Sequence, residues 1–262
     1  MDIEVQAASK HGASLAARVE EACLNAWPAL QEVHYDGWLL RLADGKTRRT
    51  NSVNVLRSSS RSFHEKIAYC EAFYRQHHLP PHFRILSNAN DGLDAVLHQH
   101  GYDTADETAT LYMDFSDSAL KPPRQHAQLI ETAPSREWVD ARLEIMGETG
   151  QARPKLEKIL HQLSLPAVFA ATRGKEGRID AVAKGAIHDA IVCLNLVATR
   201  SDQRRKGLSA ICVTSILDWA RGNGARGACL QVVAANTPAI NLYQKLGFTR
   251  ELYRYHYRTK AV

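Results

Sequence analysis

Residues 196–209 decide the fold, and they read Leu-Val-Ala-Thr-Arg-Ser-Asp-Gln-Arg-Arg-Lys-Gly-Leu-Ser. The first four of them end an almost wholly apolar segment, residues 190–199, which is typical of a strand in the centre of a sheet. A loop with four cations and one glycine follows, and a helix is predicted over residues 209–221. The stretch therefore predicts a buried strand that leads through a basic loop directly into a helix.

This loop has the composition of an anion-binding site. Backbone N–H groups in the first turn of a helix lack partners and carry partial positive charge, so they bind phosphate well. Gly207 lets the backbone approach an anion closely or adopt a positive φ angle, and Leu208 can anchor the turn in the core. Four side chains add positive charge around the loop: Arg200, Arg204, Arg205 and Lys206.

The loop differs from the common nucleotide-binding loops. It lacks the Gly-x-x-x-x-Gly-Lys-Ser/Thr of nucleotide hydrolases and the three glycines of the dinucleotide-binding fingerprint. The stretch Arg204-Arg-Lys-Gly-Leu-Ser209 instead resembles motif A of the GNAT superfamily of N-acetyltransferases, Arg/Gln-x-x-Gly-x-Gly/Ala. Ser209 departs from that pattern, but serine is small enough for close packing and also caps helices.

A second stretch, about 30 residues downstream, extends the resemblance. Residues 236–248 predict a helix with Asn236 or Thr237 at its N-cap and Gly247 just after its last turn. The same stretch is similar to motif B of the superfamily at six positions: Asn236, Ala239, Leu242, Tyr243, Gly247 and Phe248. The resemblance covers residues 125–260.

The resemblance implies an α/β (α+β) fold, in which a mixed central sheet with splayed parallel strands is flanked by helices. Hydrophobic periodicity agrees with that architecture, because the elements predicted after residue 125 follow the order β-α-α-β-β-β-α-β-α-β. We therefore expect a GNAT-like fold.

The resemblance also implies acetyl-CoA as cosubstrate, with its pantetheine arm in the gap between the splayed strands. Backbone groups near a bulge in the first of those strands would bind the arm, the basic loop would hold the pyrophosphate, and Asn236 would help to position the arm. The predicted cofactor-binding residues are Val197, Ala198, Thr199, Arg204, Arg205, Lys206, Gly207, Leu208, Ser209 and Asn236.

Tyr243 matches the family tyrosine that protonates the departing CoA thiolate. A phenol with a reference pKa of about 10 keeps its proton at neutral pH and can donate it to sulfur. The competing interpretation is a packed aromatic side chain on an amphipathic helix. The general base is not identified, because the strand before the loop offers only Asn195, while Asp180 and His188 lie on neighbouring predicted strands.

By this resemblance an amine attacks the thioester directly, and we expect the acceptor to be a small-molecule amine. Three alternatives stay open: a protein N-terminus or lysine as acceptor, transfer of a longer acyl group, and a catalytically silent module that binds or senses CoA. Acceptor pockets are built from variable loops, so the sequence leaves the acceptor undecided.

The first half of the chain is predicted to be a degenerate copy of the same unit. Residues 1–118 form this GNAT-like domain, residues 119–125 a linker, and residues 126–262 the N-acetyltransferase domain. Residues 35–41 and 47–53 resemble the N-terminal half of certain bacterial tandem GNAT proteins. With Asn195, three residues of this half are candidates to line a substrate cleft: Trp38, Arg41 and Asn51. The alternative is a buried tryptophan and a solvated arginine.

Charge is divided unevenly along the 262 residues, although 33 Lys+Arg and 28 Asp+Glu leave only +5 overall. Residues 1–120 carry a net −5 and residues 121–262 a net +10, which points to an anionic partner for the second half. The cations gather at one loop without interleaved aromatics, which favours the phosphates of CoA over nucleic acid. No apolar run of membrane-spanning length and no basic leader occurs, so we expect a cytoplasmic protein without a membrane partner, as a monomer or homodimer.

Five cysteines are scattered along the chain and none forms a Cys-x-x-Cys pair. Their apolar neighbours predict buried, reduced thiols rather than a disulfide framework or a zinc knuckle. Histidines 77, 78 and 82 are separated by Pro80-Pro81, which disrupts helical presentation of ligands. We therefore expect no metal.

Overall fold

The computed structural model describes residues 13–44, 47–57, 60–89, 92–116, 125–148, 150–174 and 176–260. The predicted linker lies outside the described residues, except for residue 125. The first half of the described chain contains the elements α1 (Leu15–Ala26), β1 (Gln31–Tyr35), β2 (Trp38–Leu42), β3 (Val53–Val55), α2 (Phe63–Gln76), β4 (His82–Leu86), α3 (Leu93–Gln99) and β5 (Asp103–Asp114).

The second half contains β6 (Leu129–Glu131), α4 (Arg136–Ile145), α5 (Arg153–His161), β7 (Ala167–Arg173), β8 (Ile179–His188), β9 (Ile191–Thr199), α6 (Leu208–Gly222), β10 (Gly227–Val233), α7 (Thr237–Lys245) and β11 (Arg250–Thr259). This order of helices and strands is the one that periodicity predicted. In the first half, periodicity did not reveal β1. Its residues are exposed or only half-buried, so the strand lacks a clear apolar face.

All eleven strands belong to one mixed sheet, in the order β1-β2-β3-β4-β11-β5-β10-β9-β8-β7-β6. Strand β11, which ends the second half, lies between β4 and β5 of the first half. In return β5, which ends the first half, pairs with both β10 and β11 of the second half. Each half of the sheet is therefore completed by a strand of the other half.

The parallel pair β9 and β10 separates partway along its length. Pairing begins at Gly227 with Ile191 and ends at Leu230 with Leu194, so the last five residues of β9 are not paired with β10. On its other edge β9 stays paired with β8, where a bulge places Leu196 and Val197 opposite the single residue Ala183. The expected splayed strands and the expected bulge are both present.

Helices cover both faces of the sheet. On one face α6 packs against β7, β8 and β9. On the other face α4 packs against β8 and β9, and it shares that face with α1, which contacts β8, β9 and β10. Val19 and Cys23 of α1, with Trp27 directly after the helix, thereby share one apolar core with Trp138 and Phe169 of the second half. The first helix of the chain is thus packed beneath the splayed strands.

A buried ion pair fixes α1 to the sheet. The Glu20 carboxylate accepts hydrogen bonds from both terminal nitrogens of Arg84 on β4, and from the Tyr253 hydroxyl on β11 at 2.5 Å. The Arg84 guanidinium also lies 3.8 Å from the ring centroid of Tyr255. Removal of either Glu20 or Arg84 would leave the other charge buried without compensation.

Candidate active site

The gap between β9 and β10 opens into a cavity of about 660 Å³. The end of β9, the basic loop, the start of α6, the first turns of α7 and the end of α4 enclose it. Ten of the predicted cofactor and catalytic residues line this cavity: Val197, Ala198, Thr199, Arg204, Arg205, Gly207, Leu208, Ser209, Asn236 and Tyr243. Lys206 does not line it, and its ammonium donates to the Gln203 amide oxygen at 2.7 Å.

Three unusual backbone conformations surround the cavity. Gly207, the N-cap residue of α6, has a φ of 80°, Arg205 has a φ of 64°, and Leu196 at the bulge has a φ of 54°. A left-handed conformation is unfavourable for residues other than glycine, and such conformations are concentrated at functional sites. Their occurrence at Arg205 and Leu196 therefore marks the cavity as a candidate functional site. The Thr199 and Ser209 hydroxyls hydrogen-bond to each other and join the end of β9 to the start of α6.

The start of α6 presents backbone donors to the cavity. The first helical bond at this end runs from the Ile211 amide to the Gly207 carbonyl at 3.1 Å. Amides before Ile211 lie in the first turn, where a helix provides no acceptor for them. Together with the exposed Arg204 and Arg205, they form an electropositive part of the cavity wall, which is the kind of site that suits an anion.

Arg200 is not part of this charge, although it was expected to be. Its guanidinium is 8% exposed and donates to the Glu144 carboxylate at 2.7 Å and to the Ile179 carbonyl at 2.9 Å. Asp180 lies 3.6 Å away as a second acidic partner. Because two carboxylates neutralise Arg200, the anion site depends on Arg204 and Arg205.

Tyr243 reaches the cavity from α7. It is 8% exposed, and its ring packs edge-on against Phe248 with the centroids 6.0 Å apart. Burial raises the pKa of its phenol to about 12, so the group is fully protonated at neutral pH. Among the described residues the Tyr243 hydroxyl has no hydrogen-bond partner. The side chain is therefore a packed aromatic that lines the cavity with a protonated phenol.

Asn236 forms the N-cap of α7, as predicted. Its side-chain oxygen accepts a hydrogen bond from the Ala239 amide at 3.3 Å, and Pro238 occupies the first turn. The cap holds the start of α7 against the cavity, opposite the basic loop.

Neither candidate for the general base lies at the cavity. Asp180 is buried and ion-paired with Arg178 at 3.2 Å and with Arg200. His188 pairs with Ile191 at the opposite end of β9 from the splay. Asn195 lies just beyond Leu194, the last residue of β9 that pairs with β10. It is 8% exposed, and its side-chain oxygen has no partner among the described residues.

The structure does not bring Trp38, Arg41 or Asn51 to the cavity. Trp38 is 1% exposed in the core beneath α2. Arg41 is 0% exposed, so the expectation of a solvated arginine is also wrong; its guanidinium bonds to Glu32 at 3.0 Å and to the Trp27 carbonyl at 2.8 Å. The Asn51 oxygen accepts from the Ala43 amide at 2.7 Å. These side chains hold the first half together.

Sequence reasoning missed the apolar wall of the cavity. Ile145 and Met146 at the end of α4 face the basic loop across it, and Met146 is 50% exposed. These two residues could have been noticed in the sequence, because they are an apolar pair at the C-terminal end of a predicted helix, where polar or basic residues are more usual.

Alanine in place of Gly207 is expected to lower the affinity for CoA about tenfold, equivalent to about 1.4 kcal/mol. The new methyl group would meet no protein atom within 4 Å, so it would stand in the open space that an anion approaches. The left-handed backbone would also cost about 1 kcal/mol of stability. Calorimetric titration with CoA measures the effect.

Gly222→Ala is the matched control, because Gly222 ends the same helix and its added methyl group also has open space. This control should bind CoA as the unmodified protein does. Equal affinity of Gly207→Ala and the unmodified protein would show that no anion approaches Gly207.

Within the described residues, no helix has the length and apolar character that crossing a membrane requires.

Several solved structures that superpose on this chain carry acetyltransferase names. The GCN5-related N-acetyltransferase from Kribbella flavida superposes with a TM-score of 0.69, covering 96% of this chain and 98% of that one at 20% identity. A tandem GNAT protein from the clavulanic acid biosynthesis pathway gives a TM-score of 0.63 over 80% of this chain and 74% of that one, at 13% identity. The fold is thus that of the GNAT superfamily.

The sequence places the chain more narrowly. It belongs to the family described as "Probable histone acetyltransferase Rv0428c C-terminal", whose sequence model matches residues 14–258. The curated protein "Uncharacterized N-acetyltransferase YobR" of Bacillus subtilis (strain 168) is 26% identical over 246 residues, which are 93% of this chain and 98% of that protein. The chain is therefore an N-acetyltransferase of GNAT type.

Proposed function

We propose that this enzyme transfers the acetyl group of acetyl-CoA to an amine, and that the cavity between β9 and β10 holds the cofactor. The observation that carries the proposal is the convergence of three features on one cavity: an unpaired strand edge, an anion site and a protonated tyrosine. In one molecule of acetyl-CoA, the strand edge would bind the pantetheine arm, the anion site would bind the phosphates, and the tyrosine would protonate the thiolate.

The pantetheine arm would lie along the free edge of β9. Beyond Leu194 the backbone of β9 has no partner on the β10 side, whereas its other edge is bonded to β8 as far as Thr199. Backbone groups of Val197, Ala198 and Thr199 are therefore available to the amide groups of the arm. Amides of residues 205–209 and the guanidinium groups of Arg204 and Arg205 would bind the pyrophosphate.

The reaction would proceed by direct attack. The amine nitrogen forms a bond to the thioester carbonyl carbon, the carbon–sulfur bond breaks, and the sulfur leaves as a thiolate. Tyr243 gives its proton to that sulfur. The attacking nitrogen, positively charged after it bonds to the carbon, loses a proton to solvent or to a base that is not identified among the residues of the cavity. Since the Tyr243 hydroxyl has no competing protein partner, its proton is available for this transfer.

We propose a small-molecule amine as acceptor. The apolar side chains of Ile145 and Met146 form the wall next to the splay, so an acceptor with an apolar part beside its amine fits this side of the cavity. A protein N-terminus or lysine is the second candidate, because the family description names histone acetylation. A CoA-binding module without turnover is the third.

Two measurements separate these possibilities. Calorimetric titration with acetyl-CoA tests whether the cofactor binds, and a thiol reagent measures CoA release across a panel of amines, peptides and lysine-rich proteins. Release with a small amine supports the proposal, and release only with polypeptides supports the second candidate. Tight CoA binding without release on any acceptor would indicate the silent module, whereas absence of CoA binding would contradict all three.

We also propose that residues 1–118 and 126–262 are two related units, of which only the second carries an anion loop. The reciprocal exchange of β5 and β11 supports this division, because each unit then contributes its final strand to the sheet of the other.

A further inference from the structure

Three cysteines that are far apart in the sequence meet beneath the splayed strands. Cys23 lies on α1, while Cys193 on β9 and Cys229 on β10 are opposite each other in the parallel pair. The Cys23 sulfur lies 3.7 Å from that of Cys193 and 3.8 Å from that of Cys229, and all three sulfurs lie within 4.8 Å of one another. All three side chains are buried and none is in a disulfide.

The separations have the size that a shared metal ion requires. Zinc binds thiolate sulfur at about 2.3 Å with tetrahedral angles, so two sulfurs on the same ion are about 3.8 Å apart. A disulfide would need about 2.05 Å and could join only two of the three. Among the described residues this is the one group of at least three possible ligands whose donor atoms converge.

Two basic side chains adjoin the cluster. Lys184 on β8 is 0% exposed, and its ammonium contacts the Ala26 carbonyl at 2.5 Å and the Trp27 ring at 5.2 Å. Neither partner is an anion, and within the described part of the chain Lys184 makes no ion pair. Both Lys184 and Arg49 interact electrostatically with Cys193. Basic groups next to a thiol favour the thiolate form that binds a metal.

A polar side chain adjoins the cluster. The Asn195 side-chain nitrogen lies 3.8 Å from the Cys193 sulfur, and its oxygen is buried without a partner among the described residues. A water molecule held by that amide can occupy the fourth position on an ion. Asn195 is also the first residue of β9 beyond its parallel pairing with β10.

We propose that Cys23, Cys193 and Cys229 form a binding site for one thiophilic divalent ion of the zinc type. Each thiol loses its proton to solvent as its sulfur binds the ion, so three protons are released for each ion bound. The ion would tie α1 to β9 and β10 at the closed end of the splay. Binding would therefore stabilise the folded chain independently of acetyl transfer.

The test uses the full chain, purified under reducing conditions without chelating resins. Metal analysis by mass spectrometry gives the bound zinc, and titration with Zn²⁺ against a chromogenic chelator gives its affinity. We expect one equivalent per chain and at least a 100-fold loss of affinity in Cys23→Ala and Cys229→Ala. Cys70→Ala and Cys212→Ala, which replace buried cysteines outside the cluster, should retain the affinity of the unmodified protein.

Titration of the unmodified protein with Cd²⁺ does not depend on whether the variants fold. Three thiolates on one ion produce a sulfur-to-cadmium charge-transfer band that saturates at one equivalent, with release of three protons. Absence of this band would overturn the proposal, as would undiminished zinc affinity in folded Cys23→Ala.

Discussion

The Tyr243→Phe enzyme is expected to bind acetyl-CoA as the unmodified enzyme does, and to lose kcat by on the order of 100-fold or more. The substitution keeps the ring that packs against Phe248 and removes only the hydroxyl, so the cavity should keep its shape. The CoA thiolate would then leave without a proton donor. Steady-state release of thiol gives kcat, and calorimetry gives the affinity for the cofactor.

The pH dependence offers an independent check on Tyr243. An acid must be protonated to act, and burial raises the pKa of this phenol to about 12. The kcat of the unmodified enzyme should therefore show no loss from ionisation of Tyr243 between pH 7 and pH 10. Tyr69→Phe, which alters an exposed tyrosine of the first half, is the control that should keep full activity. Unchanged kcat in Tyr243→Phe would remove this residue from the mechanism.

The second large effect concerns stability. Glu20→Gln is expected to lower the free energy of unfolding by about 3–5 kcal/mol, because it leaves the buried Arg84 without its counter-charge. Urea unfolding followed by circular dichroism measures the change. Glu21→Gln alters the exposed neighbour on the same helix and should change stability by less than about 0.5 kcal/mol.

Glu20 should also make stability depend on pH. Burial alone would raise its pKa, but the charge and hydrogen bonds of Arg84, with the Tyr253 hydrogen bond, hold the pKa below its ordinary value of 4.5. A carboxyl with a lowered pKa in the folded state stabilises it above about pH 4.5, and that contribution is lost as the pH falls further. The difference in free energy of unfolding between the unmodified protein and Glu20→Gln should therefore become smaller as the pH falls below about 4.5. A constant gap down to pH 3 would contradict this assignment.

Local pattern was sufficient to predict the cavity wall that the second half provides. The apolar strand, the basic loop with Gly207 and the capped helix with Tyr243 each occupy consecutive residues, so periodicity and spacing identify them. The structure places them around one cavity because β9 and β10 are adjacent parallel strands. The role of each residue in binding acetyl-CoA stays a prediction.

The errors concern contacts between distant residues. Arg200 belongs to the same basic stretch as Arg204, and its ion pairs with Glu144, 56 positions away, and with Asp180 separate it from the exposed cations of the loop. Arg41 looked like a surface residue until α1 and β1 supplied its acceptors. The three converging cysteines are separated by up to 206 positions, so no spacing rule could have grouped them.

The exchange of β5 and β11 has a consequence for how such a chain is inherited. Strand β5 fills the space between β10 and β11, and β4 pairs with the other edge of β11, so loss of the first half would leave one edge of β10 and both edges of β11 unpaired. Exposed edges of that kind promote association with other chains. Selection can therefore preserve the first half for the sake of the sheet alone, because the second half depends on it for the partners of β10 and β11.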